Sequence, residues 1–170
     1  MKELVSIFIP TFNWSKILKN SLKSALNQDY SNLEIIVSDN ASTDNTEELI
    51  RSFKEPNIFY SRNSRNIGLI NNWQKALELC NGEYFLALSD DDILKFNAIS
   101  TLINIHKYAE KKIAFSYGHI NFFMKNKLKK ISYTNSAKYE DSLNFQINNL
   151  KGKRIVYPSA TLIKTSEALS

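Results

Sequence analysis

Three consecutive aspartates, Asp90, Asp91 and Asp92, are the residues of this chain that most need a chemical explanation. Like charges a few ångströms apart raise one another's pKa, and a divalent cation removes that conflict. Magnesium and manganese take oxygen ligands, accept few protein carboxylates and fill their remaining positions with water and phosphate oxygens. Such an ion on a diphosphate also neutralises the charge that builds on a departing nucleoside diphosphate. The alternative is an acidic cap on a helix starting near Leu94. The apolar run before the triplet, and a second acid, Asp39, after another apolar run, favour the metal. Asp39 can accept a hydrogen bond from a base N–H, or simply form an Asx turn between strand and helix. Thr11 and Asn13 are placed to touch the same base or ribose, with Asn13 alternatively capping the first helix. Arg62, Arg65 and Asn66 offer donors to ribose or phosphate, or stand as plain surface groups.

Positioning these groups falls to alternating strands and helices. Nearly continuous β-favouring runs predict buried strands over 4–9, 33–38, 57–61 and 83–88, with Pro10 ending the first. Helices are expected over 14–27, 45–53, 69–79 and 96–108. In the first, Ile17, Leu18, Leu22, Ala25 and Leu26 form an apolar stripe from which Ser21 and Lys23 turn away. Ser42 or Thr43 is expected to cap the second, with Asp44 in its first turn. In the third, Trp73, Ala76 and Leu77 share a face. Strands follow over 113–117, 120–125 and 127–133, then a helix over 139–150 and a strand over 157–164. This is an α/β pattern, and in open α/β sheets ligands collect beyond the carboxyl ends of strands. Asp39 and Asp90 to Asp92 both occupy such ends.

With 170 residues, 43% of them hydrophobic, the chain suits one compact core. The net charge of +5 is uneven: residues 1–85 carry 9 basic and 10 acidic side chains, residues 86–170 carry 13 and 7. The densest basic stretch, Lys125 to Lys130, suits a solvated hairpin edge or an anionic membrane surface. No spacing of basic and aromatic residues resembles a nucleic-acid recognition module. A single cysteine, Cys80, and two unclustered histidines, His106 and His119, fit neither a disulfide framework nor structural zinc. The apolar run over 4–9 is too short for a signal peptide or membrane span, so the visible chain is expected to be soluble. Closely spaced glycines of a dinucleotide turn and a Lys-terminated phosphate loop are both missing.

Three runs carry a resemblance: Val5-Ser6-Ile7-Phe8-Ile9-Pro10-Thr11-Phe12-Asn13, Glu34 through Thr46 with Ser38-Asp39-Asn40-Ala41-Ser42 at its heart, and Gly82 through Asp92. In order and spacing they resemble glycosyltransferase family 2, whose catalytic domain has the GT-A fold. That implies a Rossmann-like, mostly parallel sheet with helices on both faces, here incomplete at the carboxyl end. The chain reads as one domain over 1–170, with 1–92 the nucleotide-binding region ending in the metal motif and 93–170 the start of the acceptor side.

The resemblance assigns the base, usually uracil, to Asp39, and the nucleotide pocket lining to Pro10 and Thr11. It matches Arg65-Asn66-Ile67-Gly68, with Asn72 after it, to the loop and helix start between base site and metal motif. In the Asp-x-Asp motif Ser89 takes the first position, Asp90 the variable one, Asp91 the second Asp and Asp92 the residue beyond. Asp91 is then the direct ligand of Mn2+ or Mg2+, with Asp90 and Asp92 sharing the charge through water or the sugar. Asp90 counts with the nucleotide-binding residues and Asp92 with the metal. The implied reaction is an inverting transfer from a nucleotide diphosphate sugar, UDP-sugar foremost, to a hydroxyl of a glycan or lipid-linked acceptor. It is placed in the cytoplasm or peripherally at the inner face of the membrane. The catalytic base is expected beyond Ser170, since Glu167 lacks the matching context. A nucleotide-sugar-binding module or partner subunit without transferase activity is the alternative. A nucleotidyltransferase would want a Gly-rich basic loop that residues 10–16 do not supply.

Overall fold

The computed structural model describes residues 2–109, 113–118, 122–124, 127–129 and 157–168. Strands β1 (Val5–Thr11), β2 (Leu33–Asp39), β3 (Ile58–Arg62) and β4 (Tyr84–Ala87) alternate with helices α1 (Ser15–Leu26), α2 (Thr46–Ser52), α3 (Leu69–Glu78) and α4 (Ala98–Tyr108). Then come β5 (Phe115–Tyr117), the pair β6 (Phe122–Met124) and β7 (Lys127–Lys129), a 3-10 turn (Pro158–Ala160), β8 (Thr161–Lys164) and a last helical turn (Thr165–Ala168). One six-stranded sheet runs β3-β2-β1-β4-β8-β5, and β6 pairs with β7 in a second. β1 is parallel to β2 and β4, and β2 to β3, whereas β8 is antiparallel to β4 and β5. The fold is thus the mixed α/β sheet the pattern implies.

Every residue of β1 is buried, which a strand covered on both faces requires. Alternation sends Ile7 and Ile9 to one face, against Leu18, Leu22 and Ala25 of α1, Ile50 of α2 and Ile99, Leu102 and Ile103 of α4. It sends Phe8, with Ile36, Phe85 and Ala87, to the other, against Ala76, Trp73 and Leu77 of α3. Each aliphatic side chain so removed from water contributes about 1.5–3 kcal/mol, so this layered burial fixes where the strand ends fall.

Several boundaries differ from the pattern-based reading. β1 runs through Pro10 to Thr11: its pairing with β4 stops at Phe8 and Ala87, while pairing with β2 continues to Thr11 and Asp39. Pro10 therefore sits where one neighbour has already left, and a missing N–H is tolerated there. Ser21 does not turn away from the core; it is fully buried and donates to the Asp90 carbonyl at 2.7 Å, whereas Ile17 is exposed. The expected strand over 157–164 begins with the 3-10 turn and becomes β8 only at Thr161. The expected helix over 139–150, and 130–133 of the strand before it, lie outside the described residues.

Candidate functional site

Parallel pairing of β1 with β2 and β4 puts the carboxyl ends of three strands side by side. β4 is followed by Leu88, whose N–H still donates to Phe8 carbonyl at 2.9 Å, and then the chain turns: Asp92 N–H reaches Ser89 carbonyl at 3.1 Å. Thr11 Oγ1 donates to Asp90 Oδ2 at 2.7 Å, joining the end of β1 to the acidic loop across 79 residues of sequence. From the far side Ser159, on the 3-10 turn before β8, accepts the Ser89 N–H at 3.0 Å. The loop is therefore held from β1, from α1 through Ser21, and from the 3-10 turn at once.

Within it the three aspartates differ. Asp90 is partly buried, and burial pushes its carboxyl up from the ordinary value. The Thr11 hydroxyl opposes that shift, and the neighbouring Asp91 charge adds to it. Asp91 and Asp92 are exposed. The helix-cap reading of the triplet fails, because α4 starts only at Ala98, with no acidic residue in its first turn and no side-chain cap bond. The backbone over 92–95 is not helical.

Asp39, the last residue of β2, is fully buried. Its Oδ1 accepts the Ser42 N–H at 2.8 Å and its Oδ2 the Tyr60 hydroxyl at 2.6 Å, while Arg62 Nε stands 3.6 Å from Oδ2. Burial, then the bond to Asp39, pushes the Tyr60 hydroxyl above its ordinary value, so it remains a donor. The Asx turn onto Ser42 is thus present, and the second carboxylate oxygen engages Tyr60.

Asn13 does not cap α1. It adopts a left-handed backbone (φ 58°), gives its N–H to Ser42 Oγ at 2.9 Å and accepts the Thr43 N–H at 2.7 Å, tying the loops after β1 and β2 together. Neither Ser42 nor Thr43 caps α2. The N-cap is Asn45, which makes no side-chain cap bond; Asp44, before the helix rather than in its first turn, accepts the N–H of Thr46 at 3.1 Å and, at the start of α1, of Ser15 at 2.9 Å. Burial works to raise the Asp44 carboxyl, but these bonds and the Thr46 hydroxyl hold it below the ordinary value.

A buried amide network supports the next loop. Asn40 gives its side-chain N–H to Asn66 Oδ1 at 2.8 Å and accepts Ile67 N–H at 2.9 Å. Asn72 donates to Ser38 carbonyl at 3.0 Å and accepts from Ser38 Oγ and Asn63 at 2.9 and 2.8 Å. Asn63 Oδ1 takes Lys75 Nζ at 2.6 Å. Satisfied networks of this kind fix one backbone path. That path includes Gly68, whose φ of 85° glycine adopts without strain. Asn66 is used in this scaffold, and Arg65 stays exposed.

The structure therefore assembles Thr11, Asp90 and Ser21 into one cluster and Asp39, Tyr60 and Arg62 into another, with Asn13 bridging the strand-end loops. Sequence reasoning missed Tyr60, Ser21, Asn40, Asn63 and Ser159. For Ser21 and Tyr60 the available sign was a polar side chain in an otherwise apolar helix stripe or strand; Asn40 and Asn63 directly follow β2 and β3, and Ser159 lies on the 3-10 turn before β8.

Comparison with known proteins decides the family: the model for glycosyl transferase family 2 matches residues 6–163. The chain belongs to glycosyl transferase family 2. Among similar members, an Escherichia coli UDP-Glc:alpha-D-GlcNAc-diphosphoundecaprenol beta-1,3-glucosyltransferase is 35% identical over 117 residues, 69% of this chain and 46% of that protein. The abequosyltransferase of Salmonella typhimurium (strain LT2) is 41% identical over 105 residues, covering 58% and 31%. The chain spans less than half the length of each. For the fold, TarS of S. aureus, residues 1–349, superposes with a TM-score of 0.70 at 20% identity over 96% of this chain and 47% of that one. A mannosyltransferase of Pyrobaculum calidifontis, solved with GDP-Man and Mn2+, gives 0.61 at 21% identity over 68% and 35%.

That mannosyltransferase holds its nucleotide sugar together with Mn2+. Among the described residues no three His, Cys, Asp or Glu side chains converge as a metal cluster. The exposed Asp91 and Asp92 carboxylates fit the other kind of site, in which Mg2+ or Mn2+ takes one or two carboxylates and draws its remaining oxygens from phosphate and water.

Proposed function

We propose that the carboxyl edge of β1, β2 and β4 binds a nucleoside diphosphate sugar, UDP-sugar foremost, and that the protein transfers its sugar to a hydroxyl of a glycan or lipid-linked acceptor. The observation that carries this reading is the Thr11 to Asp90 bond, which brings the acidic loop against the strand ends that also carry Asp39. Residues 1–92 form the donor side, and the chain from 93 on begins the acceptor side. Asp39 lies at the base end of the site. Pro10, Thr11, Asn13 and Asp90 line the nucleoside, with Arg65 and Asn66 beside the ribose or phosphates. Asp91, with Asp92, holds Mn2+ or Mg2+, which when bound neutralises charge on the diphosphate leaving group.

The family relatives named above support the reaction class, and the undecaprenol-linked substrate of the Escherichia coli relative supports an acceptor at a membrane surface. No described helix is long and apolar enough to cross a membrane. Attachment in this reading is peripheral, at the cytoplasmic face.

Calorimetric titration with UDP, with and without Mn2+, tests the donor site. The expected result is Mn2+-dependent binding that falls at least about tenfold in Asp91→Ala, one lost charge-assisted contact being worth roughly 1.5–3 kcal/mol. The melting temperature should barely move, because Asp91 is exposed. Binding that ignores both the metal and Asp91 would remove the metal assignment.

A further inference from the structure

Every peptide plane from Ala87 to Asp92 is held by a hydrogen bond. Leu88 N–H donates to the Phe8 carbonyl at 2.9 Å, and Asp92 N–H closes onto the Ser89 carbonyl at 3.1 Å. Ser89 N–H donates to Ser159 Oγ at 3.0 Å, and that hydroxyl also reaches Ser89 Oγ at 3.3 Å. The carbonyl between Asp90 and Asp91 accepts the Ser21 hydroxyl at 2.7 Å. Two of these holds come from side chains remote in sequence. Ser21 is fully buried on α1 among Leu18, Leu22 and Ala25, where a hydroxyl without a partner is costly. Ser159 is 6% exposed on a turn that is itself tied down. The Tyr157 carbonyl accepts both Ala160 N–H at 3.0 Å and the Thr161 hydroxyl at 2.8 Å, and the Ala160 carbonyl takes Gly118 N–H, just past β5, at 2.8 Å. With Asp90 drawn inward onto Thr11, the carboxylates left at the surface are Asp91 and Asp92.

We infer, on the donor-site reading above, that Ser21 and Ser159 are positioning residues that hold Asp91 ready for the divalent cation, so that α1 and the turn before β8 jointly set the metal affinity. The carbonyl that Ser21 holds belongs to the peptide plane leading into Asp91, so releasing it frees the torsion that aims the Asp91 carboxylate. Ser159 fixes the plane at the other end of the same turn. A loop that its own metal must first order binds that metal less tightly than one already in place. Partners that orient a metal ligand without touching the metal typically alter its affinity by about 10–100-fold. A hydroxyl with a purely structural role would instead lower stability and leave the effect of Mn2+ on UDP binding as it was.

The deciding quantity is the ratio of UDP affinities with and without Mn2+, measured by calorimetry on the wild type, Ser21→Ala, Ser159→Ala, Asp91→Ala and Ser6→Ala, with melting curves to verify each fold. Ser6 is the control, since its hydroxyl serves Glu34 and Gly82 at the opposite edge of the sheet. The ratio should fall roughly tenfold in Ser21→Ala, fall in the same direction in Ser159→Ala, and stay within about twofold of wild type in Ser6→Ala. Affinity for UDP without Mn2+ should hold in all of them. If Ser21→Ala does not fold, Ser159→Ala alone decides. An unchanged ratio in the folded serine variants, with that of Asp91→Ala collapsed, overturns the inference and leaves the donor site standing. An equal fall in Ser6→Ala traces the effect to lost stability and overturns it too. A wild type that binds UDP no more tightly with Mn2+ removes the metal assignment, and one that is folded yet binds no UDP defeats the donor-site reading; either result takes this inference with it.

Discussion

β2 carries a buried acid at each end, Glu34 near its start and Asp39 at its finish, and the two are held in different ways. Glu34 Oε1 accepts the Ser6 hydroxyl at 2.5 Å and Asn81 N–H at 2.6 Å, and Oε2 accepts the Asn81 amide at 3.2 Å. These donors are neutral, short and supplied by the start of β1 and the turn before β4. Asp39 also has neutral donors, but its third neighbour is the partly exposed Arg62. Around it, Asn13 and Ala41 hold left-handed backbones at φ 58° and 65°, a strained arrangement for alanine. The exposed Asp91 and Asp92 lie at the same edge of the sheet. Burial and good hydrogen bonding therefore do not separate the acid assigned to the proposed donor site from a structural one. What separates them is whether the partners lead outward to groups a ligand can reach.

If the amino edge is purely a structural clamp, breaking it should cost stability and leave nucleotide affinity intact. Gly82→Ala is the largest such change. A Cβ there would lie 2.6 Å from Ser6 Oγ, 2.6 Å from Tyr84 carbonyl oxygen and 2.7 Å from Ser6 N. Two of these atoms are backbone and cannot rotate away, so a loss of about 3 kcal/mol is expected in urea unfolding. Ser6→Ala comes next. It strips Glu34 of a donor and leaves the Gly82 N–H, which now donates to Ser6 Oγ at 2.8 Å, without its acceptor, for about 1–3 kcal/mol. Adding Ser6→Ala should not rescue Gly82→Ala, since only one of the three close contacts disappears. A loss of UDP affinity in folded Ser6→Ala would erase the contrast between the two edges.

The same contrast explains what the sequence made legible. Strands β1, β2 and β4 were readable because the sheet is covered on both faces, which forces continuous apolar runs such as Val5 to Ile9. Asp39 and the aspartate triplet were readable because they end those runs. Ser21 was not, because its reason for burial is the Asp90 carbonyl, 69 residues away in sequence. Tyr60 and Arg62 gain their meaning only from the register that sets Arg62 beside Asp39. Asp44 is not in the first turn of α2, where Glu47 and Glu48 stand; it lies two residues before the helix, and its bond to Ser15 at the head of α1 depends on how two helices meet. Local pattern thus gave the scaffold and its acidic ends, and the long-range hydrogen bonds determined which of those ends face outward.

The smallest expected effect is a pH response that distinguishes the edges. His106, on α4, packs edge-on against Tyr84 at the start of β4, with ring centroids 4.8 Å apart. Its Nε2 is buried without a hydrogen-bond partner among the described residues. Burial pushes its pKa below the ordinary 6.5; the Leu162 backbone opposes that shift and Lys164 adds to it. The folded chain therefore binds this proton less readily than the unfolded chain. Stability from this source is complete above about 6.5 and is lost as pH falls through the depressed value. At the carboxyl edge Asp44, held below 3.8, contributes stability that is lost only under stronger acid. Asp90, pushed up, runs the other way and favours the fold on acidification. Urea midpoints at about pH 7.5 and 5.5 should thus fall for the wild type by less than Ser6→Ala causes, and His106→Gln should remove most of that fall. An equal fall in both proteins would mean that the titrating group lies elsewhere and that mild acid does not act first at the His106 and Tyr84 contact.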